Sequence, residues 1–160
     1  MTANQIDRSN LDCFPLVLLS SFTVECRSLG LGDSTPAIRM DTVAFITTES
    51  KDDLIVSFAV QDPGDRAAVQ SLTLIRTPKY EFLFEDDERG VRVSFDRYDK
   101  QEEDNLQEVA FLETERIVRL KTSLHQYELN VRKVDTEELK QMRNILHKMN
   151  YDHRFQTSGI

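Results

Sequence analysis

Short runs of alternating apolar and polar residues recur from Thr42 to Arg132. Because successive side chains of a strand point to opposite faces, this period of two restricts most of the chain to half-buried β-strands. The alternation is sharpest where Tyr80, Phe82 and Phe84 oppose Glu81, Leu83 and Glu85, and where Val91, Val93 and Phe95 oppose Arg92, Ser94 and Asp96. Residues 85–90 between these runs are polar and end in glycine, which predicts a hairpin loop slightly longer than the two-residue type. With Phe84 opposite Val91, Phe82 meets Val93 and Tyr80 meets Phe95, so one register turns all six toward a core. Arg92 would then offset Glu81 or Glu85 diagonally, a contact worth roughly 0.2–1 kcal/mol.

The same period predicts strands over residues 42–48 and 54–60, joined by a polar connector of hairpin length at 49–53. Pro63-Gly64 suits the centre of a type II turn. Residues 66–70 read as a helical turn or irregular chain. Another strand follows over 71–76 and ends at Thr77-Pro78. Residues 98–105 read as an acidic surface loop, residues 109–122 as two strands meeting near 113–116, and residues 127–131 as the last strand. Upstream, residues 16–27 are strand-like and residues 29–36, with two glycines, form a loop.

One helix closes the pattern. Asp135 stands at an N-cap position with Glu138 three residues later, so a capping box is available. Leu139, Met142, Leu146 and Met149, with Ile145 beside them, form one apolar stripe. Glu137 and Glu138 in the first turn and Arg143, His147 and Lys148 toward the end follow the helix dipole. The expected fold is therefore α+β: a mostly antiparallel β-sheet of roughly eight or nine strands with one C-terminal amphipathic helix packed on it. With 160 residues, the chain suits one β-rich domain over 13–150, its helix at 136–149, between a flexible N-terminus at 1–12 and a flexible tail at 151–160.

Chemistry is harder to find. Cys13 and Cys26 make no disulfide framework and read as free thiols, and no metal-ligand spacing occurs, so neither cofactor nor metal is expected. His125, His147 and His153 lie far apart and pair with no nucleophile in sequence. Neither Gly-x-Ser-x-Gly nor a phosphate-cradling glycine pattern is present. The run from Glu85 to Gly90 resembles a calcium loop only in its sixth-position glycine, since Arg89 stands where an oxygen ligand is needed. The apolar run at 14–19 is too short to span a bilayer, and Asp7 and Asp12 ahead of it do not suit a signal peptide. A cytoplasmic, noncatalytic protein is the expectation.

Charge is the remaining signal. The chain carries 20 basic and 28 acidic residues, net −8, yet residues 81–115 alone hold thirteen acids against four bases. A local negative field repels nucleic acid and anionic membrane and attracts a cationic protein. In most proteins such acids are only a solvated surface. If they bind, the carboxylates to nominate are Glu85, Asp86, Asp87 and Glu88 in one loop and Glu102, Glu103 and Asp104 in the other.

The order of elements carries a resemblance. Ile55-Val56-Ser57-Phe58-Ala59, Leu72-Thr73-Leu74-Ile75-Arg76, Val91-Arg92-Val93-Ser94-Phe95, Glu108-Val109-Ala110-Phe111-Leu112 and the strand leading into Asp135-Thr136-Glu137-Glu138-Leu139 follow one another with acidic loops between. Over residues 54–149 the chain thereby resembles bacterial polymorphic-toxin immunity proteins of the tenth family. The resemblance implies a noncatalytic protein that binds and blocks a cognate toxin, for which a basic surface is expected. A β-rich sheet with a C-terminal helix also describes pleckstrin-homology-like interaction modules, and a ligand-binding β-barrel would show an apolar cavity. Exposed sheet edges leave a homodimer open.

Overall fold

A computed structural model describes residues 39–65, 67–98 and 103–160. The predicted flexible N-terminus, the strand-like stretch at 16–27, the loop at 29–36 and both cysteines lie outside the described residues. Eight strands are described, β1 (Met40–Ser50), β2 (Leu54–Gln61), β3 (Val69–Arg76), β4 (Arg92–Phe95), β5 (Leu106–Leu112), β6 (Ile117–Thr122), β7 (Gln126–Asn130) and β8 (Gln156–Ser158), with one α-helix, α1 (Thr136–Met149). They form one sheet in the order β4-β3-β2-β1-β7-β6-β5-β8. Only β1–β7 and β5–β8 pair in parallel. The fold is α+β and mostly antiparallel, as the alternation and the single apolar stripe predict.

The inward faces follow the sequence parity. Val56, Phe58 and Val60 of β2, Leu72 and Leu74 of β3, and Val93 and Phe95 of β4 are all buried. In β1 the register shifts between Val43 and Phe45. An extra residue in one strand turns the following side chains to the other face. Val43 and Ile46 are accordingly both buried while Phe45 is 45% exposed. At the other end of the sheet, Val93 donates its N–H to the Asp104 carbonyl (2.8 Å) and Leu106 donates to the Val91 carbonyl (2.9 Å). These bonds flank a single bridge between Arg92 and Asn105, so the β4 edge meets the start of β5 and the sheet curls round its core.

The stripe of α1 closes that core with Leu139, Met142, Ile145, Leu146 and Met149. Asp135 caps the helix, accepting from the Glu137 N–H at 2.7 Å. Glu138 does not complete a capping box; its carboxylate accepts instead from the Ile46 N–H of β1 at 2.9 Å. The reason lies in β1, whose pairing with β7 ends at Thr42. The amide of Ile46, itself buried, would otherwise lack an acceptor, and a charged acceptor outweighs a local cap. Glu138→Ala is therefore expected to lower stability by about 1.5 kcal/mol, read as a lower urea midpoint at unchanged m-value.

Three further expectations are corrected. The segment from Tyr80 to Phe84 is no strand: Pro78–Leu83 forms a 3-10 helix, and β4 pairs with β3 instead. The turn after β2 is not type II, because Gly64 lies outside the left-handed region. There the Asp62 carboxylate accepts from the N–H groups of Gly64 (2.7 Å) and Asp65 (3.2 Å), a side-chain turn that needs no positive φ. Finally, residues 151–160 are not a loose tail. Phe155 is buried, β8 pairs with β5, and Gly159 has φ 69°, where a Cβ would approach the Phe111 carbonyl oxygen to 2.2 Å. Among the described residues no helix is long and apolar enough to cross a membrane.

Candidate functional site

The site begins with a charge on a core face. Arg76 continues the inward parity of Leu72 and Leu74 and is 1% exposed, and a buried guanidinium is tolerable only when paired and hydrogen-bonded. Glu81 supplies one carboxylate in a bidentate pair, Nε to Oε1 at 2.7 Å and Nη2 to Oε2 at 2.8 Å. Asp152 supplies the second, with Nη1 to Oδ1 at 2.7 Å and Nη2 to Oδ2 at 2.6 Å. Nη1 also donates to the Met149 carbonyl in the last turn of α1. The Tyr151 hydroxyl donates to Glu81, and the guanidinium carbon lies 4.2 Å from the Tyr151 ring centroid.

This cluster explains why residues 78–84 are not extended. Five residues of strand would carry Glu81 about 17 Å beyond Arg76, whereas a 3-10 turn started by Pro78 folds it back beneath the guanidinium. Burial opposes the charge on Glu81, but bonds from Arg76 and Tyr151 overcome it and hold the carboxyl below its ordinary range. The hydrogen bonds from Arg76 lower Asp152 to about 2. Burial also opposes the charge on Arg76, and its two carboxylates more than reverse that, keeping it protonated.

With Glu81 turned inward, its neighbours are turned out. Phe82 is 73% exposed and Leu83 69%, flanked by partly exposed Tyr80 and Phe84. A second 3-10 turn, Asp86–Glu88, follows directly. Its Glu88 carboxylate accepts from the Glu85 N–H at 3.3 Å. Arg154 ties this turn to the cluster: it donates to the Asp86 carbonyl (2.6 Å) and carboxylate and, through Nε, to Asp152 (2.9 Å). Residues 78–88 are thus an apolar projection with an acidic rim, braced from below by charged groups. Arg92, which could have offset Glu81 or Glu85, instead lies over the Phe84 ring at 5.6 Å.

The nominated carboxylates divide. Glu85, Asp86, Asp87 and Glu88 share one exposed turn, with Asp86 held by Arg154, and Glu103 is exposed. Glu102 lies outside the described residues. Asp104 is a correction: expected on a surface loop, it is 6% exposed. It accepts from Thr122 Oγ1 (2.7 Å), Ser123 Oγ (2.9 Å), the Leu124 N–H (3.0 Å) and, when that nitrogen is protonated, His125 Nδ1 (3.1 Å). Burial raises its pKa, but these donors more than reverse that and hold Asp104 below the ordinary range. Other acids are met by arginines, Asp41 by Arg97 at 3.2 Å, Glu128 by Arg119 at 2.7 Å and Glu113 by Arg143 at 3.3 Å.

Asp104 and His125 are an acid and an imidazole in contact, with Tyr98 stacked on the imidazole at 4.5 Å. The hydroxyls beside them bond to the carboxylate rather than to the ring, which is not the arrangement of a base and its nucleophile. Among the described residues no group of three or more His, Cys, Asp or Glu is placed to hold a metal ion. Alternation alone misplaced the projection, but one signal for it was present: an arginine on the inward parity of β3 requires a carboxylate nearby. No protein-family model, curated protein or solved structure matches the chain.

Proposed function

We propose that this chain is a cytoplasmic, noncatalytic immunity-type protein that neutralises a basic toxin, and that the projection at 78–88 is its principal contact. The observation carrying this reading is the outward placement of Phe82 and Leu83, 73% and 69% exposed, on a segment fixed by the Arg76 cluster. Large apolar side chains held in water on a rigid support are suited to become the buried centre of an interface. The braces beneath them reduce the ordering entropy that binding must overcome. Glu85, Asp87 and Glu88 then act as the charged rim, which governs encounter rate and partner choice more than affinity.

The test is association with a basic effector domain encoded beside this chain. Changing Glu85, Asp87, Glu88 and Glu103 to amides is expected to slow association about tenfold or more at low salt and little at high salt. Changing Phe82 and Leu83 to serine is expected to speed dissociation about tenfold or more. Unchanged rates in both variants, or no neighbouring effector that binds, would overturn the reading.

A further inference from the structure

The projection leaves a cleft of about 260 Å³ against the outer face of β3 and β4, lined by Ile75, Tyr80, Phe84 and Gly90 together with Arg76, Thr77, Glu81, Glu88 and Arg92. Ile75 and Arg92 are register partners on neighbouring strands. The cleft falls just below the roughly 300–1,000 Å³ typical of small-molecule sites, and one large side chain fits it. Its deeper polar groups are already satisfied, Arg76 and Glu81 by each other and Thr77 by Asp53 at 2.6 Å. A ligand gains little by offering them further hydrogen bonds. Most of the exposed lining is apolar, from Ile75, Tyr80 and Phe84, with Glu88 and Arg92 as its exposed charged groups, and Gly90, at φ 139°, adds no side chain to it. Of the acids in the neighbouring turn, Glu88 lines the cleft.

We infer that this cleft is an anchor pocket for one large apolar side chain of a partner protein, presented next to a lysine or arginine that meets Glu88. The inference rests on reading the projection as a docking surface and adds which side chain the partner inserts. Cations already sit near both aromatic rings, Lys79 Nζ 5.4 Å from the Tyr80 centroid and the Arg92 guanidinium over Phe84. The protein's own cations already take these ring faces, so Glu88 is the group left to meet the partner's cation while its apolar side chain enters the cleft.

The full chain, labelled for amide NMR, is titrated with acetyl-Lys-Phe-Lys-amide, and with acetyl-Lys-Ala-Lys-amide and acetyl-Glu-Phe-Glu-amide as comparisons. The first should shift the amides of Ile75, Phe84, Gly90 and Arg92 most, and bind about tenfold or more tightly than either comparison. Ile75→Trp, which fills the cleft from an outward-facing position, should abolish those shifts. Glu88→Gln, which does not depend on that variant folding, should narrow the gap between the lysine and glutamate peptides. Equal binding of the phenylalanine and alanine peptides, or shifts spread over the other acidic surfaces, would overturn the inference. An effector interaction lost in the Phe82 and Leu83 serine variant but kept in folded Ile75→Trp would remove the anchor pocket and leave the docking surface. Peptide binding in the cleft without any effector interaction would leave the pocket and remove the immunity reading.

Discussion

Arg76→Met is expected to lower folding stability by on the order of 4 kcal/mol at neutral pH, because it strands two carboxylates around a site built for a cation. Glu81 is 8% exposed, and the methionine offers it nothing in return for its lost bidentate pair. Since a whole domain is stable by only about 5–15 kcal/mol, the variant should be marginal. Adding Glu81→Leu and Asp152→Asn should recover much of the loss, since a buried ion cluster replaced by apolar groups of similar volume is often close to neutral. Acid titration gives a second readout of opposite sign in the two proteins. In the parent, Glu81 and Asp152 are depressed in the folded state, Asp152 to about 2. Their stabilisation is present above the unfolded values of about 4 and is lost as pH falls toward 2. In Arg76→Met burial dominates at Glu81 and raises its folded value above the unfolded one, so protonation should favour the folded state and stability should rise as pH falls through that raised value toward about 4, above the window in which the parent loses its own. Urea denaturation at pH 7 and pH 3 checks both statements, and a parallel acid response in the two proteins would contradict the assignment.

The consequence reaches the surface because the same guanidinium shapes the projection. Without it, no charge holds Glu81 inward, and the 3-10 turn loses its reason to fold back beneath β3. Phe82 and Leu83 would then sample many orientations, so a soluble Arg76 variant should bind a partner more weakly although it removes no contact residue.

Parity alone made most of the fold legible. Val56, Phe58 and Val60, or Leu72 and Leu74, declare their faces by alternation, and the stripe of α1 is equally plain. Parity fails where another requirement outranks it. Tyr80, Phe82 and Phe84 alternate well enough for a strand, but a strand there would leave Arg76 without its carboxylate. At Phe45 a bulge changes the face, and no local pattern marks it. Asp135 acts as the cap its position predicts, while Glu138 serves a strand amide 92 positions away, a need visible only once β1 and β7 are seen to part. Glutamate and aspartate in an acidic run look alike in sequence. What separates Asp104 from Glu103 is the turn at 122–125, which closes over one and not the other.

That difference gives the second large effect. Asp104→Ala is expected to cost about 3 kcal/mol, because it removes one buried acceptor from the Thr122 and Ser123 hydroxyls, the Leu124 amide and His125 together. Asp104→Asn should lose less, since its remaining oxygen can keep part of this set and the Thr122 hydroxyl can rotate. Asp104 is depressed in the folded state, so its stabilisation is present above about pH 4 and disappears as pH falls through its lower folded value. The loss should be local before it is global. Asp104 sits on the seam where Val93 and Leu106 bond across the β4 edge, so hydrogen exchange at those two amides should accelerate most while the amides of α1 keep their protection. Because its carboxylate is enclosed, removing it should leave the association rate with a basic partner nearly unchanged in protein that remains folded, in contrast to the amide variants at Glu85, Asp87 and Glu88. A slowed association in folded Asp104→Asn would mean that this carboxylate reaches the partner, which its four internal donors argue against.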